Sequence, residues 1–124
     1  MNIASFFPDG NLCLTATSNQ ISLWDVNNGN LIHTINTPDE WKSMTSLDIS
    51  MDGTKLAVGC WDEIIHVIDL LTERVLYDIK GHTAPVQSVK FITDNQILSG
   101  AGEYGDGIAR IWDLRNVIGS WVYE

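Results

Sequence analysis

Apolar residues recur along this chain in short runs, each closed by glycine, asparagine, aspartate or proline rather than continued at helical spacing. Ile3 to Phe7 stops at Pro8-Asp9-Gly10, and Ser46 to Ile49 stops at Ser50-Met51-Asp52-Gly53. Leu12 to Thr17 and Lys55 to Cys60 follow directly. Each Asp-Gly pair therefore sits where a tight hairpin needs a positive backbone angle. Ile21 to Trp24, Ile64 to Ile68 and Ile108 to Trp112 form a third set of runs. Asn30 to Ile35, Arg74 to Ile79 and Ile118 to Tyr123 form a fourth, the first of them entered through Asn28-Gly29. Nowhere do ten or more residues combine helical periodicity with caps. The three prolines fall in loops or at strand ends, where a missing N–H is tolerated. The pattern predicts an all-β chain.

The runs repeat, and the period is long. Ile21-Ser22-Leu23-Trp24-Asp25-Val26, Ile65-His66-Val67-Ile68-Asp69-Leu70 and Ala109-Arg110-Ile111-Trp112-Asp113-Leu114 end alike, with Asp25, Asp69 and Asp113 spaced 44 residues apart at each step. A second landmark holds the phase: Asp9, Asp52 and Asp94 lie in equivalent turns after the first run of each period. The boundaries that follow are 1–36, 37–80 and 81–124, with four short antiparallel strands in each.

Four strands per period and a Trp-Asp ending resemble the WD40 repeat family, whose repeats of ~40–45 residues build β-propeller blades. The resemblance covers nearly the whole chain and is best in the third repeat. There Gly81-His82 opens the unit, Val86-Gln87-Ser88-Val89-Lys90-Phe91 is the first strand and Trp112-Asp113 closes it. The resemblance implies a buried hydrogen-bond network of a loop histidine, a hydroxyl, a turn aspartate and a tryptophan, which by position are His82, Ser99, Asp106 and Trp112. The other repeats depart from this. Repeat two has Ile68 for the tryptophan and Pro38-Asp39-Glu40-Trp41 for the Gly-His loop, although Asp62 keeps the turn position. Repeat one keeps Trp24-Asp25 but has Ser18 at the turn. Repeat three is enlarged within Gly102-Glu103-Tyr104-Gly105, so Glu103 competes with Asp106 for the turn role. A propeller ring takes ~4–8 blades, so three form an incomplete ring unless another chain completes it.

Composition narrows the partners. Seven basic residues against sixteen acidic ones give a net charge of −9. Clustered Lys and Arg, which phosphate backbones and anionic membrane surfaces require, are missing, so neither nucleic acid nor a membrane is expected. Charged residues are 19% of the chain, below the ~25% of an ordinary domain, as suits blades with neighbours on both sides. No apolar run reaches the length of a membrane-spanning helix, and the start of the chain lacks the positive region of a secretion signal. Cys13 and Cys60 make no disulfide framework. A cytoplasmic or nuclear protein with reduced thiols is expected.

Candidate catalytic chemistry is thin. Gly100-Ala101-Gly102-Glu103-Tyr104-Gly105 spells a dinucleotide fingerprint, but a strand follows it instead of a helix, so it reads as an enlarged hairpin turn. His33, His66 and His82 show no metal-ligand spacing to Cys, His or carboxylate; His33 and His66 read as wall or surface positions. No nucleophile elbow occurs, and Cys13 and Cys60 read as small core residues. No catalytic residue, metal site or cofactor is therefore expected. Aromatic residues outside the repeat pattern are more informative. Trp41, Trp61 and Tyr104 fall in loops that the resemblance puts on one rim of the disc, and Asn2, Thr45 and Gln87 are the first-strand positions it puts near the channel mouth. These six are the candidate partner-binding residues, since exposed aromatics anchor protein interfaces. The expected function is a non-enzymatic scaffold or adaptor that presents a rigid rim to other proteins. The alternative is a partial propeller whose role is assembly, completed by self-association or by insertion into a partner's open ring.

Overall fold

The computed structural model describes residues 3–17, 19–101, 109–116 and 120–123. Twelve strands follow one another: β1 (Ile3–Phe6), β2 (Leu12–Thr17), β3 (Gln20–Asp25), β4 (Leu31–Asn36), β5 (Met44–Ile49), β6 (Lys55–Cys60), β7 (Ile64–Asp69), β8 (Val75–Lys80), β9 (Val86–Thr93), β10 (Gln96–Ala101), β11 (Ala109–Asp113) and β12 (Ser120–Tyr123). They form three separate sheets, β1 to β4, β5 to β8 and β9 to β12, each an antiparallel meander in chain order. The first strands of the sheets come together, with β1 and β9 both packed against β5. Three blades thus make an open arc with the second in the middle.

The turns explain both landmarks of the repeat. In the first, Gly10 and Gly53 adopt φ of 76° and 74°, a region open to glycine at little cost. Their N–H groups bond the carbonyls of Phe7 and Ser50. Asp9 Oδ1 accepts the N–H of Asn11, and Asp52 Oδ1 that of Thr54. In the second, each closing aspartate accepts the N–H two residues on: Asp25 from Asn27, Asp69 from Leu71 and Asp113 from Arg115. This is the Asx turn, in which a short carboxylate substitutes for the next backbone acceptor. Gly29 and Glu73 then occupy the same left-handed position, with φ of 75° and 62°.

Packing accounts for the apolar runs. Leu14, Ala16 and Ile21 of the first blade meet Leu47, Leu56, Val58 and Cys60 of the second. On the other side Ala57, Ile65 and Val67 meet Val86, Val89, Phe91 and Ile97 of the third. Residues along β6 alternate between these two cores, so a strand covered on both faces reads as one unbroken apolar run. Contact is close at Gly59, where a Cβ would stand 2.8 Å from Val86 Cγ1. Polar links then stitch the blades. Ser46 Oγ and Asp48 Oδ2 accept the N–H groups of Val89 and Phe91 at 3.1 and 2.6 Å, and Asp94 Oδ1 accepts the N–H of Asp52 at 3.0 Å.

Asp52 is bonded by the Ser50 hydroxyl at 2.6 Å and by the hydroxyl and N–H of Thr54 at 2.7 and 3.0 Å. These bonds, the one from Ser50 first, hold its carboxyl at about 2. A depressed folded value means that its contribution is present above the ordinary carboxylate range and lost on acidification. Stability should therefore fall between about pH 4 and pH 2, and Asp52→Asn should flatten that part of the profile, as read from urea midpoints across this range.

Candidate functional site

The third blade carries a compact polar network. Trp112 on β11 donates its indole N–H to Ser99 Oγ on β10 at 2.7 Å, and His82 Nε2, from the loop before β9, lies 2.7 Å from the same oxygen. Indole can only donate, so the Ser99 hydroxyl accepts from Trp112, and it shares a second hydrogen bond with His82 Nε2 whose direction follows the imidazole tautomer. The two rings also meet edge to face, 5.9 Å apart. Gly81 precedes His82 because there is no space for a side chain: a Cβ there would lie 2.6 Å from Trp112 Cη2. Asp106, the fourth expected member, lies outside the described residues, as do Ser18, Glu103, Tyr104 and Asn2. The strands on either side of residues 102–108 pair antiparallel, Gly100 opposite Ala109, so these residues connect two neighbouring strands of one sheet.

The first blade keeps half of the arrangement, with Trp24 Nε1 donating to Thr15 Oγ1 at 2.8 Å. The second replaces it. Val58 and Ile68 stand where the hydroxyl and the tryptophan would be, and both are buried. Polar character moves one pair along, to His66, the cross-strand neighbour of both Val58 and Asp78. His66 Nε2 lies 2.8 Å from Asp62 Oδ2 and Nδ1 lies 2.7 Å from Asp78 Oδ1. Trp41, from the loop before β5, stacks flat on the imidazole with centroids 3.9 Å apart and planes 8° apart. Asp62 also accepts the N–H of Ile64 at 3.0 Å, which fixes the turn.

Three expectations change here. Trp41 is only 6% exposed; stacking on His66 turns it inward, so its ring offers no surface to a partner. Thr45 is buried as well: its hydroxyl donates to the Gly59 carbonyl at 2.9 Å and lies against that of Val86 across the blade boundary. His66 is a buried ring and not a wall or surface position, while His33 is exposed and pairs with Glu73 of the next blade. Gln87 is exposed. Trp61 is 50% exposed. Its backbone N–H bonds the Ser43 carbonyl at 2.9 Å, which fixes the turn beside the loop that carries Asp39, Glu40 and Lys42.

One grouping escaped the spacing argument. Cys60 at the end of β6, Asp62 in the turn and His66 on β7 bring a sulfur, a carboxylate oxygen and a ring nitrogen within 4.8 Å of one another. The signal was Cys-x-Asp-x-x-x-His across a predicted hairpin, which folds its two ends together. Burial, and next the charge of Asp62, push the Cys60 thiol well above its ordinary range. Cys60 is therefore a neutral, inert thiol as it stands.

Residues 29–69 and 73–113 each match the WD domain, G-beta repeat family. The chain belongs to that family, and the arc is three of its propeller blades. It is 31% identical over 119 residues to COMPASS component SWD3 of Saccharomyces cerevisiae, covering 88% of this chain and 36% of that protein. It is 27% identical over 108 residues to the guanine nucleotide-binding protein subunit beta-1 of Homarus americanus, covering 84% of this chain and 30% of that protein. A U3 small nucleolar RNA-associated protein 15 homolog of Xenopus tropicalis is 35% identical over 66 residues, 52% of this chain and 12% of that protein. The solved WD40 repeats of RRP9 superpose with a TM-score of 0.80 at 23% identity, over 98% of this chain and 37% of that one. The chain thus spans about a third of the length of the relatives it follows most fully.

Ser99→Ala removes the one oxygen that serves both His82 and Trp112. Two buried groups lose a partner, so unfolding free energy should drop by about 1–3 kcal/mol in a urea titration. Ser88→Ala, at an exposed position on β9, should stay within about 0.5 kcal/mol.

Proposed function

We propose that this chain is a non-enzymatic interaction module that holds partner proteins on one rim of the blades. The observation that carries this reading is Trp61, a large aromatic left half open on a turn whose backbone is fixed. Such a residue buries much area on binding and loses little freedom in doing so. Exposed acids lie on the two segments joined by its bond to Ser43, Asp39 and Glu40 in the loop before β5 and Glu63 in its own turn, with Lys42 as the basic residue. The rim therefore favours a partner segment with basic side chains. Gln87, which is exposed, and Tyr104 and Asn2 remain candidates for the same rim. The names of two relatives, a COMPASS component and a G-protein subunit, describe members of assemblies and agree with such a role. The net charge of −9 argues for protein rather than a phosphate backbone as the partner.

Trp61→Ala should leave the unfolding midpoint within about 0.5 kcal/mol of the parent and reduce capture of a partner by tenfold or more, about 1.4 kcal/mol. Unchanged capture by a well-folded variant would sink the rim reading.

A second reading rests on the two ends of the arc. Phe6 at one end is 62% exposed, and Ile92 and Leu98 are exposed at the other. Sheet faces of this kind are covered in a propeller by further blades, so another chain could complete the ring. Light scattering on the eluting protein distinguishes the cases: a mass of 13.8 kDa excludes self-completion, and twice that mass supports it.

A further inference from the structure

The second blade's hairpin gathers three donors of different chemistry, a thiol, a carboxylate and an imidazole, in a rigid and almost dry setting. Cys60 is fully buried, and the side chains of His66 and Asp62 are 3% and 10% exposed. Their donor atoms all fall within 4.8 Å of one another. Around a tetrahedral zinc ion, with bonds of about 2.0–2.3 Å, neighbouring ligand atoms stand about 3.3–3.8 Å apart. The three side chains already stand on one hairpin with their donors within 4.8 Å, so coordination requires them to turn inward. His66 is held as a metal-binding histidine usually is. Nδ1 is bonded to a carboxylate, Asp78 Oδ1 at 2.7 Å, and this leaves Nε2 facing Asp62 Oδ2 at 2.8 Å. Trp41 stacked on the ring prevents it from turning away.

We propose that Cys60, Asp62 and His66 bind a zinc-class divalent cation, with water at the fourth position and Asp78 as the outer partner of His66. The donor set selects the ion: sulfur and nitrogen suit zinc and disfavour calcium and magnesium, which take oxygen. Binding conserves charge. The cation takes the place of the hydrogen between Nε2 and Asp62 and of the thiol hydrogen, and both protons leave to solvent. Thiolate and carboxylate then balance the two positive charges, and His66 keeps its Nδ1 hydrogen on Asp78. Burial and the charge of Asp62 disfavour a thiolate when it is alone; a divalent cation removes both objections at once.

The test uses the full 124-residue chain carrying Cys13→Ser, so that Cys60 is the sole thiol. After chelator treatment, cobalt(II) is titrated in. One equivalent should produce a thiolate-to-cobalt charge-transfer band with the visible bands of a tetrahedral site, and zinc should abolish both. Cys60→Ala, a small apolar replacement in a packed position, should lose the charge-transfer band. Asp78→Asn should keep the bands and weaken cobalt affinity about 10- to 100-fold. In parallel, zinc should raise the thermal midpoint of the Cys13→Ser protein but not that of Asp62→Asn, a comparison that stands even if Cys60→Ala fails to fold. A folded protein that gives no band and no midpoint shift, or a band that survives Cys60→Ala, would overturn the proposal.

Discussion

A sheet of four short strands has two faces, and in this protein only another sheet can cover them. The second blade is the one enclosed on both sides, by the first through Leu56, Val58 and Cys60 and by the third through Ala57, Ile65 and Val67. The rest of the structure depends on that enclosure. The close approach at Gly59, the polar stitches from Ser46 and Asp48 to the β9 backbone, and the inward turn of Thr45 all exist because two sheets are pressed together. Backbone groups along the inner edge of β9 have no strand to pair with, and the second blade's side chains supply the missing acceptors.

Much of the fold was legible in the sequence because its signals are local. Asp-Gly and Asn-Gly fix turns through a single positive angle, and the closing aspartates bond their own backbone two residues on. Neither needs a distant partner to be recognised. The third blade's polar network was readable in part for the same reason, with Ser99 and Trp112 on adjacent strands and Gly81 marking the close approach to the indole. Trp41 and His66 were misjudged because each is explained by the other. They lie 25 residues apart in sequence, and nothing local to either shows that a loop tryptophan will lie flat on a strand histidine. Thr45 was misjudged because its hydroxyl turns inward to the Gly59 carbonyl of the adjacent strand and against Val86 of the next blade, contacts with no trace in its own segment.

The second blade shows how a repeated architecture tolerates a changed interior. Losing the hydroxyl and the tryptophan without further change would leave a turn carboxylate, Asp62, nearly buried and short of a partner. Here the loss comes as a set. Val58 and Ile68 pack as hydrocarbon, and His66, Asp78 and Trp41 form a second polar centre one residue pair along the sheet. What the second blade requires is that its turn carboxylate, Asp62, be satisfied, and His66 provides this in place of the hydroxyl and tryptophan arrangement.

The two family-matched segments do not coincide with the sheets. Residues 29–69 hold the outer strand of the first blade and the three inner strands of the second, and residues 73–113 repeat that offset one blade on. Both joints fall at the same turn: Gly29 and Glu73 donate to the carbonyls of Asp25 and Asp69, and those aspartates donate in turn to Asn30 and Arg74. Chain cut and rejoined at these points would meet a matching backbone connection on either side. Such an exchange would swap a module while leaving each new piece anchored in the sheet of its predecessor, so that blades are added as links of a chain and not as loose beads.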